Sequence, residues 1–174
     1  MNLLHDIDSG AKEEMHVIIE IPKDSHNKYE IDKKTGLIKL DRANYSSAAY
    51  PFDYGFVPQT LWDDGDALDV VVLTTYPLAV GVLVEARPVG ILNMIDSGEA
   101  DEKIIAVPVH DRRWEAVQDI KDVNSHTLKE ISEFFETYKN LKGKPSVVQT
   151  NGYKGRAEAE AAFLRAKELY TKAK

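Results

Sequence analysis

Apolar residues recur along the first two-thirds of the chain at a spacing of two or in short unbroken runs. Beyond Val109 the spacing changes to 3.6. The first pattern belongs to strands and the second to helices. His16-Val17-Ile18-Ile19-Glu20-Ile21 is rich in β-branched residues and stops at Pro22, which predicts a strand. Tyr29-Glu30-Ile31 and Leu37-Ile38-Lys39-Leu40 flank Asp32-Lys33-Lys34-Thr35-Gly36, a hairpin with its turn. Asp69 to Leu73 is a continuous apolar strand. One strand over Val80 to Val89, another over Val89 to Met94 and a third over Lys103 to Val107 follow, the last two joined by an acidic loop. Tyr50 to Pro58 is aromatic and broken by Pro and Gly, so it reads as irregular but packed.

In the last third, Leu128, Ile131, Phe134, Phe135, Tyr138 and Leu141 line one helical face. Asn124 or Ser125 would cap that helix and Gly143 would follow its end. A second helix, roughly Ala157 to Lys172, puts Ala159, Ala162, Phe163, Ala166 and Tyr170 on one face. Short strands followed by helices predict an α+β fold, a small barrel or curled sheet with helices against it. No repeat or linker interrupts the chain, so residues 1–174 are expected to form a single domain.

Composition narrows the class. The chain carries 22 Lys plus Arg against 29 Asp plus Glu, a net charge of −7, which disfavours nucleic acid or an anionic membrane as partner. Without cysteine, neither a disulfide framework nor a thiolate metal site can exist. The first ten residues hold no apolar stretch of signal-peptide type, and no run reaches membrane-spanning length, so a cytoplasmic protein is expected.

The densest chemistry lies in Asp64-Gly65-Asp66-Ala67-Leu68-Asp69, three carboxylates at the mouth of a strand. Carboxylates this close raise one another's pKa unless cations sit between them, and oxygen ligands suit Mg²⁺, Mn²⁺ or Ca²⁺. Taken alone, the same residues read equally as a solvated turn, and their spacing does not fit an EF-hand. Other signals are individually weak. Lys28 and Glu30 share a strand face, Arg42 follows Asp41, and Asp96 to Lys103 carries four acids. Tyr50 and Tyr54 need partners if buried, and Tyr138 and Lys139 close a helix. Together they describe carboxylates that gather cations beside basic and phenolic groups that grip phosphate oxygens, the arrangement phosphoryl transfer requires.

The ordered series Glu20-Ile21-Pro22, Lys28-Tyr29-Glu30, Asp41-Arg42, Tyr50-Pro51, Asp53-Tyr54-Gly55, Asp64-Gly65-Asp66 to Asp69, Arg87-Pro88-Val89-Gly90, Asp96 to Lys103 and Tyr138-Lys139 closely resembles the short, prokaryotic-type family I soluble inorganic pyrophosphatases. The resemblance runs from about Leu4 to the C-terminal helix. It implies a five-stranded, OB-like β-barrel with flanking α-helices, two of them C-terminal. It also implies Mg²⁺-dependent hydrolysis of pyrophosphate to two phosphates by direct in-line attack of a metal-bridged hydroxide. By similarity Asp66 is the general base. Asp64, Asp69 and Asp101 would hold the tightest Mg²⁺, and Glu30, Asp96 and Asp101 the ions that arrive with substrate. Lys28, Arg42, Tyr138 and Lys139 would bind phosphate, Lys103 and Tyr54 would orient carboxylates, and Glu20 and Tyr50 would stand behind them. Mn²⁺ would substitute for Mg²⁺, Ca²⁺ would inhibit, and the assembly would be a homohexamer. Ala67 and Ser97 depart from the residues common at these positions in the family, with Glu99 the nearby acid that can stand in for the latter. The rival readings are a phosphohydrolase of nucleotides or other phosphorylated small molecules, and a non-catalytic barrel that binds a cation or an oligonucleotide.

Overall fold

Val70, Val71 and Val72 are wholly buried, which requires that both faces of their strand be covered. The computed structural model describes residues 1–144 and 147–174, and within them this strand belongs to a closed ring. In chain order the strands are β1 (Gly10–Ala11), β2 (Glu14–Ile21), β3 (Asn27–Ile31), β4 (Ile38–Ala43) and β5 (Asp53–Phe56). They continue as β6 (Asp69–Val72), β7 (Leu83–Asp96), β8 (Glu99–Ala100), β9 (Lys103–Pro108) and β10 (Val148–Gly155). Helix α1 (Ser125–Thr137) precedes β10, and α2 (Arg156–Ala173) follows it.

β2 pairs with β5, β5 with β6, β6 with β9 and β9 with β7, and β7 returns to β2. Five strands therefore close on one another, as expected of the OB-like fold, and a ring leaves no sheet edge unpaired. β1, β8 and β10 extend this sheet, while β3 and β4 form a separate ribbon. Alternation along the strands sorts most of the core into two large clusters, beside a smaller one of Leu4, Ile18 and Phe56. Val71, Ile105 and Val107 pack with Phe134 and Phe135 of α1. Val70, Val72, Ile104 and Ala106 pack with Ala159, Ala162, Phe163 and Ala166 of α2. Three of those four helix residues are alanine, which lets α2 lie close on the sheet. Tyr170, at the end of the same face, is only half-buried and stacks on His5.

The structure departs from the sequence expectations in four places. The two strands expected over Val80 to Met94 are one 14-residue strand, because Pro88 falls at a register shift before Gly90 and needs no ladder donor there. The segment expected to be irregular contains β5, in the heart of the ring. β10 has no counterpart in the sequence expectation. Finally, Asn124 does cap α1, accepting from the backbone N–H groups of His126 and Thr127, but the helix stops at Thr137. A 3₁₀ turn over Asn140–Lys142, closed by Gly143 at φ 90°, then rotates Leu141 off the apolar face, leaving it 68% exposed.

One fully buried carboxylate anchors the ring at the end of the β5–β6 pair away from Asp69. Asp53 accepts from the backbone N–H of Lys23 and of Leu78 at 3.0 Å each, and from the Thr74 hydroxyl. A polar group so deep stands only when its oxygens are satisfied in this way.

Candidate active site

The acidic turn is held by its own backbone. Trp62 N–H donates to the Asp66 carbonyl at 2.7 Å, and Asp66 N–H donates to the Asp64 carboxylate at 2.9 Å. Gly65 sits between them at φ 83°, a conformation only glycine adopts without strain. Thr60, buried beneath, donates to the Val57 carbonyl and accepts from Leu68 N–H, so the chain enters β6 in a set register. Asp69, the first residue of β6, and Asp64 thereby face the same cleft, about 800 Å³ in volume.

Asp101 and Lys103 reach that cleft from the start of β9, which runs parallel to β6. The ligand oxygens of Asp64, Asp69 and Asp101 lie within 4.8 Å of one another. Lys103, almost wholly buried, places its ammonium 2.5 Å from Asp69 and 2.6 Å from Asp101. Burial opposes that charge, yet the two carboxylates hold it protonated, with its pKa above the ordinary range. Burial pushes the Asp101 carboxyl up to about 7, with Asp69 adding to the rise and Lys103 opposing it. Burial also raises Asp64. Three hard-oxygen ligands facing one another, two of them pushed toward neutrality, make the donor set that a divalent cation relieves. The residues fit such an ion.

The opposite wall is the β3–β4 ribbon. Lys28 and Glu30 do share a face, with the Lys28 ammonium 3.3 Å from Glu30 and 3.1 Å from Asp41. Both line the cleft. Arg42 stands beside Lys28 in the ribbon register but outside the cleft lining, folded 2.7 Å from Asp41 and over the Tyr45 ring. Its Nε is buried without a partner. At the third side, Lys139 lies 2.7 Å from Asp96, and Tyr138 stacks on Phe134 with centroids 4.8 Å apart. Burial disfavours the Asp96 charge, but Lys139 outweighs it and draws the carboxyl below its usual range. Ser97 and Gly98, at φ 52° and 85°, make the two-residue turn that sends the chain from β7 back into β8. Ser97 donates to Asp96 at 3.0 Å, and Glu99 lines the cleft.

Behind these, Tyr54 lies under the Lys103 ammonium, 5.7 Å from it, and burial lifts its phenol above the ordinary range. Glu20 is buried, accepts from Ile31 N–H at 2.7 Å and is pushed up to about 8 by burial and by Asp69. Tyr50 is packed against Phe134 and lines a small hollow that adjoins the cleft beside Lys28, Asp101 and Tyr138. Besides Lys34, which also lines the cleft, two further cations escaped the sequence reading. Lys33, at the ribbon turn, pairs with Asp66 at 2.5 Å, and Lys39 pairs with Glu30 at 3.3 Å. The second was legible in the hairpin, since Lys39 stands opposite Glu30. The first is a tertiary contact with no local signal.

Ring and cleft together define a class: proteins that set a convergent carboxylate cluster, suited to divalent cations, against lysines and phenols suited to phosphate oxygens. The particular family follows from comparison. Residues 17–171 match the family model described as inorganic pyrophosphatase, and the chain belongs to that family. It is 44% identical to the inorganic pyrophosphatase of Haloferax volcanii over 172 residues, covering 98% of this chain and 97% of that protein. It is 50% identical to that of Geobacillus stearothermophilus over 136 residues, covering 78% of this chain and 82% of that protein. The crystal structure of inorganic pyrophosphatase from Thermus thermophilus superposes with a TM-score of 0.94 at 44% identity, covering 98% of this chain and 99% of that one. No helix among the described residues is long and apolar enough to cross a membrane.

Proposed function

We propose that this chain hydrolyses inorganic pyrophosphate to two orthophosphates, with Mg²⁺ as its working cation. The observation that carries the reading is the convergence of Asp64, Asp69 and Asp101 within 4.8 Å, in the same cleft as Lys28, Tyr138 and Lys139. Asp64, Asp69 and Asp101 would hold the first cation, while Glu30, Asp96 and Asp101 would hold those that enter with substrate. Such cations supply positive charge to phosphate oxygens and lower the pKa of water. Lys28, Arg42, Tyr138 and Lys139 take the remaining oxygens, Arg42 swinging from Asp41 to do so. In a loose, metaphosphate-like transition state negative charge develops on the leaving phosphate and is spread over the equatorial oxygens, so a fixed cationic rim favours that state.

Asp66 accepts the proton of the attacking water, and no phosphoenzyme forms. Its pair with Lys33 is exposed on both sides and is worth at most about 1 kcal/mol, so it yields readily. Lys103 and Tyr54 keep the carboxylates aimed, with Glu20 and Tyr50 bracing them from beneath. Mn²⁺ supports turnover, whereas Ca²⁺ occupies the site and inhibits, because its looser coordination suits in-line attack poorly. The 174 residues act as one cytoplasmic domain and assemble as a homohexamer.

The test is phosphate release from pyrophosphate with Mg²⁺, with Ca²⁺ and with chelator, for wild type and Asp66→Asn. Release should be fast only with Mg²⁺, and the variant should lose about 10²–10⁴ of the rate, the usual worth of a general base. Near-normal turnover in Asp66→Asn would remove it from that role. No release with any cation would leave a binding protein on a hydrolase scaffold.

A further inference from the structure

Arg165 lies on α2, outside the cleft lining, yet two direct contacts and a relay through Trp62 tie it to the loops that carry the carboxylates. Its guanidinium grips Asp63 with both prongs, at 2.6 and 3.1 Å. Its central carbon stands 4.6 Å over the centre of the Trp62 ring. The indole N–H of Trp62 in turn donates to the Glu102 carboxylate at 2.9 Å. The backbone joins in, with Leu61 N–H donating to the Ala166 carbonyl at 3.0 Å. Asp63 is the immediate neighbour of Asp64, and Glu102 of Asp101. A single guanidinium on the last helix is thus linked to both acidic loops, one residue short of the convergent oxygens in each.

We propose that Arg165 is a positioning residue for the cation site, holding Asp64 and Asp101 at their mutual spacing through Asp63 and through Trp62 to Glu102. The geometry is that of a forked, planar contact stacked on an aromatic face, a combination Lys cannot reproduce. Arg165 and Asp63 are 47% and 41% exposed, so as an isolated ion pair they would add little to overall stability. Their contribution lies instead in the rigidity of the turn from Trp62 to Asp66. The inference rests on the reading of Asp64, Asp69 and Asp101 as cation ligands.

Mn²⁺ binding to the full chain, followed by calorimetry and by electron paramagnetic resonance, tests it beside the thermal midpoint in chelator. Arg165→Ala should bind the first Mn²⁺ roughly tenfold more weakly, the low end of what a metal site loses with its supporting contacts. Its midpoint in chelator should move little, and turnover at saturating cation should be retained. Arg165→Lys should fall between, and Trp62→Phe, which keeps an aromatic ring but deletes the donor to Glu102, should weaken binding in the same direction. Wild-type Mn²⁺ affinity in Arg165→Ala overturns the proposal while leaving the cation site intact. If that variant does not fold, unchanged affinity in Trp62→Phe overturns it. Failure of the wild type itself to take up Mn²⁺ overturns both the proposal and the reading beneath it.

Discussion

Lys103 is a counterion built into a carboxylate pocket. With its ammonium between Asp69 and Asp101, the two acids converge without the full repulsion they would otherwise feel. Glu20 and Asp101 remain under strain of a different kind. Burial pushes Glu20 up to about 8 and Asp101 up to about 7, from ordinary values of 4.5 and 3.8. Between those limits the folded protein keeps protons that the unfolded chain has released. Stability without metal therefore falls as pH rises from about 5 to about 8, the sign expected when the native state binds more protons. Glu20→Gln can still accept the Ile31 N–H but cannot titrate. In chelator its thermal midpoint should vary less with pH than that of the wild type; an equal slope would mean that burial does not hold the Glu20 proton.

At the level of elements, β5 shows how tightly the ring is closed. A Cβ on Gly55 would run into the Ile18 carbonyl oxygen of β2, a clash with backbone that no rotamer relieves. Gly55→Ala should cost about 3 kcal/mol and lower the urea midpoint accordingly, the upper range of overpacking penalties. A midpoint within experimental scatter of wild type would show that β2 and β5 can part locally. The same glycine explains why β5 was illegible. Gly55 between Pro51 and Pro58 reads as punctuation, whereas the ring needs it because two backbones nearly touch. β10 was hidden for a related reason, its Asn151-Gly152 reading as a turn while a register shift absorbs it. By contrast the apolar run of β6 and the alternating hairpin of β3 and β4 announced themselves, because their local pattern and tertiary setting agree. The carboxylates were legible for the same reason, lying at strand mouths. Lys33 against Asp66 and Arg165 against Asp63 were not, because only the closed fold brings them together.

Across the whole molecule, the surface retains an apolar stretch that the ring does not use. Tyr76, Val80, Val82 and Leu83 are each more than a third exposed, in the approach to and first residue of β7. Apolar area left in water commonly marks a subunit contact, and the proposed hexamer would cover it. Light scattering should give about six times the 19.5 kDa chain mass, and Val82→Asp should yield a smaller species. A wild-type mass of one chain would sink the hexamer.

The position of α2 along the chain has a further consequence, in the timing of synthesis. All five ring strands precede it, and polypeptides lengthen at roughly 5–20 residues per second. Until α2 emerges, Val70, Val72, Ile104 and Ala106 have no helix over them, and Asp63 has no fork to grip it. A nascent chain at that stage presents a bare apolar sheet face to chaperones. The last element to be made is therefore the one that both covers that sheet face and brings Arg165 to Asp63.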